Sequence, residues 1–462
     1  MKRLIPALLA IAMLQACRSG STEKEATVIK PADGQVDTSA VSVVHPDWAN
    51  QGNVYEVNIR QYTKEGTFKA FATHMDRLKD MAITTLWFMP INPISKKEHK
   101  GELGSYYAVS DYTAINPEYG TLDDFKDVVK TAHQKGFKVL IDWVPNHTGA
   151  DHGWLTRHKE YYELDSVTKE PIYTADWNDT RELNYRNMEM RDSMIAAMKY
   201  WIKETDIDGY RVDVAWGVPD DFWKQCLPQL RAMKQGLFFL AEADGPQYHL
   251  DGFDATYPWN MFHKMVDVAQ GRNNALAIDS ILHLTDSTYT ANAMRLYFTS
   301  NHDENSWNKA DFGTMPGPIH APFAVLTQTL PRAIPLVYSG QEEPVLDSIR
   351  FFYKDPITFR KLGRAKFYKT LLNLRHGNPA LSADASFRKL SIGDDKAVYA
   401  FTREKEGKKV LVIVNLSGKE QEVSVKDASF HGKPYNVFAY TNEPLTANPW
   451  KIEPWGYVIY TY

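Results

Sequence analysis

VLIDWVPNH (139–147), GYRVDVAWG (209–217), FFLAEAD (238–244) and FTSNHDEN (298–305) share one design: an apolar run that stops on polar and charged residues. Continuous apolar runs suit strands buried on both faces, as in a parallel sheet covered by helices. The strands containing or feeding these segments are read at FKVLID (137–142), DGYRV (208–212), LFFLA (237–241) and RLYFTS (295–300). Four more runs have the same character: VYEVNI (54–59), ITTLWF (83–88), FDATY (253–257) and IPLVYS (334–339). Eight strand candidates separated by amphipathic segments predict an α/β chain built on a (β/α)8 TIM barrel over 45–375. Active sites of such barrels lie at the C-terminal ends of the strands, where the polar residues fall.

Two of the intervening segments read as helices. FKAFATHMDRLKDM (68–81) and LDDFKDVVKTAHQKG (122–136) both place apolar residues at helical spacing. Thr121 is placed to cap the second and Gly136 to stop it. The interval between strands three and four is longer than one helix needs, so 148–187 is read as a short inserted lobe beside the barrel mouth. After Arg375 the pattern changes. AVYAFTREKEGKKVLVIVNLS (397–417) predicts two strands joined by a charged turn, and EVSV (422–425), YNVFAY (435–440) and YVIYTY (457–462) continue strand-like. Residues 376–462 are therefore expected to form a C-terminal antiparallel β-sandwich domain.

The chain has 462 residues, which suits one large domain and a smaller one. A net charge of −4 gives no basic face for nucleic acid, and none is expected as a partner. Aromatic residues make up 13%, including 12 Trp and 25 Tyr, which serves either a large core or a cleft for flat sugar faces. Lys2 and Arg3 precede an apolar stretch, Leu4 to Ala16, that is too short to span a bilayer. With Leu14-Gln15-Ala16-Cys17 it is similar to a bacterial lipobox, which makes 1–17 a lipoprotein signal peptide and Cys17 the lipidated residue. The polar segment 18–44 is read as a flexible tether. These features predict an exported cell-envelope lipoprotein, held to the membrane by an N-terminal lipid anchor, at the periplasmic or cell-surface face. The other cysteine, Cys226, then has no partner for a disulfide, and no Cys/His cluster has metal-ligand spacing.

One carboxylate after a strand is commonly a helix cap. Asp213, Glu242 and Asp303 follow three different strands and converge on one mouth, which a capping role does not explain. Two carboxyls flanking a bond are the minimum for cleaving a glycoside: one protonates the leaving oxygen, the other attacks the anomeric carbon or activates water. Arg211 lies two residues before Asp213, so both side chains point to the same face of a strand. This spacing favours Asp213 as the ionised nucleophile and Glu242, set in FFLAEA, as the general acid.

On DWVPNH, GYRVD, the Glu after strand five and NHD, the chain resembles the α-amylase family, family 13 of the glycoside hydrolases. GSYYAVSDYTAINPEYG (104–120), DWNDTRELNY (176–185) and IPLVYSGQE (334–342) fall where that family has its characteristic segments. The resemblance implies a retaining double displacement on an α-glucosidic bond of starch, glycogen or maltooligosaccharides. It implies Asp213 as nucleophile, Glu242 as acid/base and Asp303 as the carboxylate that helps the oxocarbenium-like transition state. It further implies that Tyr107 stacks on the sugar, that His147 and His302 hydrogen-bond it, and that Arg211 stands beside the nucleophile. No cofactor is needed for this chemistry. Asn146 matches a family calcium ligand, so a structural calcium is an open expectation. The chain departs from the family at Trp216-Gly217, where many members carry Lys-His on the acceptor side. A glucanotransferase, or a sucrose- or trehalose-directed enzyme, on the same scaffold stays open as the alternative reading. A non-catalytic glycan-binding lipoprotein would be expected to have lost one of the three carboxylates.

Overall fold

The computed structural model describes residues 44–462; the expected signal peptide, Cys17 and the tether up to residue 43 lie outside the described residues. Eight parallel strands run Val54–Val57, Thr85–Phe88, Lys138–Trp143, Gly209–Val212, Phe238–Ala241, Ala255–Thr256, Met294–Arg295 and Leu336–Tyr338. They pair in that order, and the eighth lies beside the first with Val54 opposite Leu336. The ring closes between the seventh and eighth, where Ile334 N–H donates to the Arg295 carbonyl at 2.9 Å and Leu336 N–H to that of Tyr297 at 2.9 Å. The TIM barrel expected from the sequence is therefore the fold.

Strand periodicity sorts the side chains into two layers. Val54, Trp87, Leu140, Phe238, Leu240, Leu296 and Phe298 pack together in the barrel interior. Their neighbours Tyr55, Phe88, Ile141, Tyr210, Phe239 and Ala241 pack outward against the helices. Glu56, Asp142 and Arg211 fall in the inward phase. Gly209 opens the fourth strand at φ +147°, and a Cβ there would lie 1.8 Å from the Phe238 carbonyl oxygen. No other residue lets the fourth strand approach the fifth so closely.

Strands six and seven are shorter than the apolar runs FDATY and RLYFTS suggested, with two residues each in the ladder. The expected helix over 68–81 is two, Phe68–Ala72 and Met75–Asp80. The break has a local cause: Thr73 Oγ1 donates to the Ala70 carbonyl at 2.8 Å, competing with the helical ladder. The helix Leu122–Gln134 has the expected ends. Thr121 and Asp124 exchange side-chain and backbone hydrogen bonds in a capping box, and Gly136 at φ +82° follows the last turn.

Between strands three and four the chain makes a lobe in which His147–Gly149 pairs antiparallel with Thr180–Glu182. After helix Ala365–Gly377 comes an antiparallel sheet of Ser386–Leu390, Val398–Lys405, Lys408–Asn415, Tyr457–Thr461, Tyr435–Asn436 and Thr441–Asn442. A separate pair, Gln421–Val423 with Trp450–Ile452, covers one face of it through Leu411, Ile413, Val423 and Ile452. YNVFAY holds only a two-residue strand, because the chain turns at Tyr440, φ +58°. Among the described residues no helix is long and apolar enough to cross a membrane.

Candidate active site

At the C-terminal mouth of the barrel lies a cleft of about 730 Å³, lined among others by Tyr107, His147, Asp213, Glu242 and Asp303. Arg211 lies beneath it, fully buried, and organises three carboxyls. Its Nη1 is 2.9 Å from Asp142 Oδ1 and 3.0 Å from Asp213 Oδ1, and its Nη2 is 3.0 Å from Glu242 Oε2. The contact with Glu242 is ionic, without the angle of a hydrogen bond. Glu242 Oε2 also accepts the Val214 N–H at 2.9 Å. Val214 has φ +43°, a left-handed conformation that a β-branched residue adopts only under constraint. The turn after the fourth strand is thus bent so that its amide meets Glu242.

A second charged group stands across the mouth. His302 Nδ1 bonds Glu56 Oε1 from the first strand, and its Nε2 lies 2.7 Å from the Tyr107 hydroxyl and 3.3 Å from Asp303 Oδ2. Tyr107 OH donates to Asp142 Oδ2 at 3.1 Å, and Trp87 Nε1 to the same oxygen at 3.2 Å. The Tyr107 and His302 rings stack with centroids 5.3 Å apart. His147 accepts from Asn146 Nδ2 at 3.2 Å.

Five carboxyls, from Glu56, Asp142, Asp213, Glu242 and Asp303, therefore face two cations. Burial would lower the pKa of His302, but Asp303 and Glu56 outweigh it and hold the imidazolium well above the usual histidine range. Burial pushes Asp303 up, yet His302 and Arg211 pull it below the ordinary carboxylate value. His147, with no carboxylate beside it, is lowered by burial to about 4 and is neutral at pH 7. Asp142 is raised to about 6, first by burial, against the pull of Arg211. Asp213 is raised well above the carboxylate range by burial and by Glu242. The sequence reading paired Arg211 with Asp213 alone, whereas the guanidinium also contacts Glu242. The guanidinium is shared between the two carboxyls, at 3.0 Å from each.

The sequence reading passed over Glu56 and Asp142, although a charge inside VYEVNI or VLIDWV is a signal in an otherwise apolar strand. It also passed over Trp177, Phe351 and Phe352, which line the cleft from loops, and Trp307, which lines it from the helix His302–Asn308. Trp216 and Trp307 are large apolar side chains left 60% and 56% exposed there. Gly217 is required by close approach, since a Cβ would lie 2.3 Å from Asn146 Oδ1.

The expected calcium would have to be held largely by amide and backbone oxygens beside Asn146. Calcium takes six to eight oxygens, largely carboxylates and carbonyls. Asn146 donates its Nδ2 to His147, which leaves Oδ1 as the amide's ligand atom, and the lobe carboxylate Asp179 has the Lys100 ammonium at 3.8 Å. No group of three or more His, Cys, Asp or Glu among the described residues is arranged to hold a metal.

A family model of the α-amylase catalytic domain matches residues 33–177 and 157–427, and one of the α-amylase SusG C-terminal domain matches 398–457. The chain belongs to the α-amylase family. It is a glycoside hydrolase, and its relatives carry the names α-amylase, cyclomaltodextrinase and neopullulanase. The α-amylase MalA of Haloarcula japonica is 25% identical over 82% of this chain; the chain spans only 57% of that protein's length. In structure it is similar to an α-amylase from Lactobacillus plantarum (TM-score 0.80, 28% identity, 90% of this chain and 99% of that one). A maltogenic α-amylase, AmyB, from Thermotoga neapolitana is equally similar (TM-score 0.80, 26% identity, 89% and 99%).

Proposed function

We propose that this α-amylase-family enzyme cleaves α-glucosidic bonds in starch, glycogen or maltooligosaccharides with retention, through a covalent glycosyl-enzyme. The observation that carries this reading is Arg211 holding Asp213 and Glu242 at 3.0 Å each. A shared guanidinium favours the carboxyl separation of about 5–5.5 Å used by retaining enzymes over the wider one that leaves room for a water. Asp213 attacks the anomeric carbon while Glu242 gives its proton to the departing oxygen; Glu242 then deprotonates the water that releases the sugar. Asp303, kept ionised by His302, faces the positive charge that develops on the ring. Neutral His147 and the Tyr107 ring orient the sugar between them.

Incubation with maltoheptaose tests the reading: shorter sugars should form, and the first-formed anomer should be α. No shorter sugars, or an initial β-anomer, would sink it. Longer chains in place of net hydrolysis would select the glucanotransferase alternative. The basic-apolar start and Cys17 support an exported, lipid-anchored enzyme; the native protein should enter the detergent phase on phase separation, and Cys17→Ala should stay in the aqueous phase.

A further inference from the structure

The chemistry orients a glucan in the cleft. The acid protonates the departing oxygen, so the leaving side lies toward Glu242 and Trp216. The sugar that stays bound extends the opposite way, past Asp303 toward Trp307, one helical turn further along the chain.

That second direction ends in a wall. Phe351, from the segment after the eighth strand, stacks beside Tyr107 with rings 6.3 Å apart and 20° from parallel. Trp307 packs on Phe351 at 5.5 Å and on Phe352 at 5.8 Å. The loop after the second strand locks onto this group. Leu103 N–H donates to the Phe352 carbonyl at 3.0 Å, and Gly101 approaches so closely that a Cβ would lie 2.5 Å from Phe352 Cβ. The same loop reaches the inserted lobe on the other flank. Lys100 Nζ donates to the Asp176 carbonyl at 2.6 Å, and Arg181 Nη2 holds both Glu98 oxygens at 3.0 and 2.9 Å. Residues 98–103 therefore form a strap from one bank of the cleft to the other. Both supports are fixed from below: Gln61 Nε2 donates to the Arg350 carbonyl at 3.1 Å, and the Arg60 guanidinium to the carbonyls of Leu103 and Gly104 at 3.0 and 3.1 Å.

We propose that this strap, with the Phe351–Phe352–Trp307 wall, closes the glycone end of the cleft, so that the enzyme cuts from the non-reducing ends of α-glucans and not at internal bonds. The proposal rests on the α-glucosidic reading above and specifies its substrate: chain ends, with few glucose units on the donor side. Trp216, exposed on the acceptor side, leaves the remainder of the chain an open exit.

The test compares two p-nitrophenyl maltoheptaosides, one with a free non-reducing end and one with that end blocked by an ethylidene acetal, each incubated with this enzyme alone and followed by chromatography of the shorter p-nitrophenyl glycosides and sugars released. The blocked substrate should show kcat/KM lower by about 50-fold or more, within the range over which a shaped pocket rejects an added group. Equal turnover of both would overturn the closed end and leave bond cleavage standing. Turnover of neither would overturn the α-glucosidic reading and the proposal with it. The double variant Lys100→Ala/Phe352→Ala should raise the blocked-to-free ratio by about tenfold; a folded variant with an unchanged ratio would remove the strap as the cause. If the variant does not fold, the comparison on the natural enzyme still decides.

Discussion

At the residue scale, the site is crowded with charge, and this has measurable costs. Asp213 is a buried acid whose folded pKa lies above its unfolded value, through burial and Glu242. Such a group favours the folded state below its unfolded pKa and opposes it as pH rises through the folded pKa. Asp213→Asn should therefore lower kcat on the order of 10⁴-fold or more while raising Tm at pH 7 by a few degrees. Residual activity near that of the natural enzyme would remove Asp213 as nucleophile, and a fall in Tm would remove the electrostatic argument. Glu56 acts through His302. Against the effect of burial, Asp303 and Glu56 keep that imidazole charged, so its contribution is lost as pH rises through its raised pKa. Glu56→Gln should move the alkaline limb of kcat/KM to lower pH by about one unit. A uniform drop in rate with the limb in place would mean that Glu56 only packs. Asp213, Glu242 and Asp303 were legible because each ends an apolar run. Glu56 and Asp142 were also visible in principle, as charges in the inward phase of buried strands. Their partners were not, because only the closed barrel brings Glu56 of strand one to His302, which follows strand seven, across the mouth.

At the element scale, the capping box at Thr121 and the stop at Gly136 were readable because their causes are local. The break at Thr73 was not, because a threonine in mid-helix more often leaves the helix intact than ends it. Loops carried the least signal. Phe351 and Phe352 meet Trp307 of the helix His302–Asn308 only in the folded chain, and nothing in their own neighbourhoods marks them as one wall. The strap also bears on the lobe's stability. Lys100 brings a positive charge to buried Asp179, whose pKa is raised by burial although the ammonium opposes it. We expect that cation, supplied by the chain, to serve the lobe in place of a metal. Dialysis against EDTA should leave both Tm and activity unchanged on return to metal-free buffer. A lower Tm restored by calcium would instead mean that the lobe gathers a metal ligand set from residues that the lysine faces.

At the scale of the whole molecule, the C-terminal sheet is part of the barrel's own core. Tyr399, Phe401, Val410, Val412 and Ile459 pack against Phe323, Leu326, Leu330 and Leu371 of the barrel helices in one buried cluster. Each of those five sheet side chains contributes about 1.5–3 kcal/mol by leaving water, a sum comparable to the stability of a whole protein at about 5–15 kcal/mol. Polar groups tie the two together as well. The buried Arg403 guanidinium donates to the carbonyls of Thr329 and Leu330 on the barrel side at 2.7 and 2.8 Å, and to those of Ser382 and Ala385 at 2.7 and 3.1 Å. The change in sequence pattern after Arg375 announced a second domain, and its strands form a sheet of their own. The pattern could not show that this sheet supplies apolar cover to helices formed earlier in the chain, since cover is a property of the partner surface. A chain ending after Gly377 should therefore be insoluble when expressed, and no catalytic activity should be recovered. Arg403→Met keeps the apolar cover but takes its donor from five carbonyls, those four and that of Ser386, which accepts from Nε at 2.8 Å. It should lower Tm, at a cost of about 1–3 kcal/mol for each carbonyl that water does not reach, while KM for maltooligosaccharides in the folded fraction stays unchanged. A soluble, active barrel from the shortened chain would show instead that the helices close over their own core.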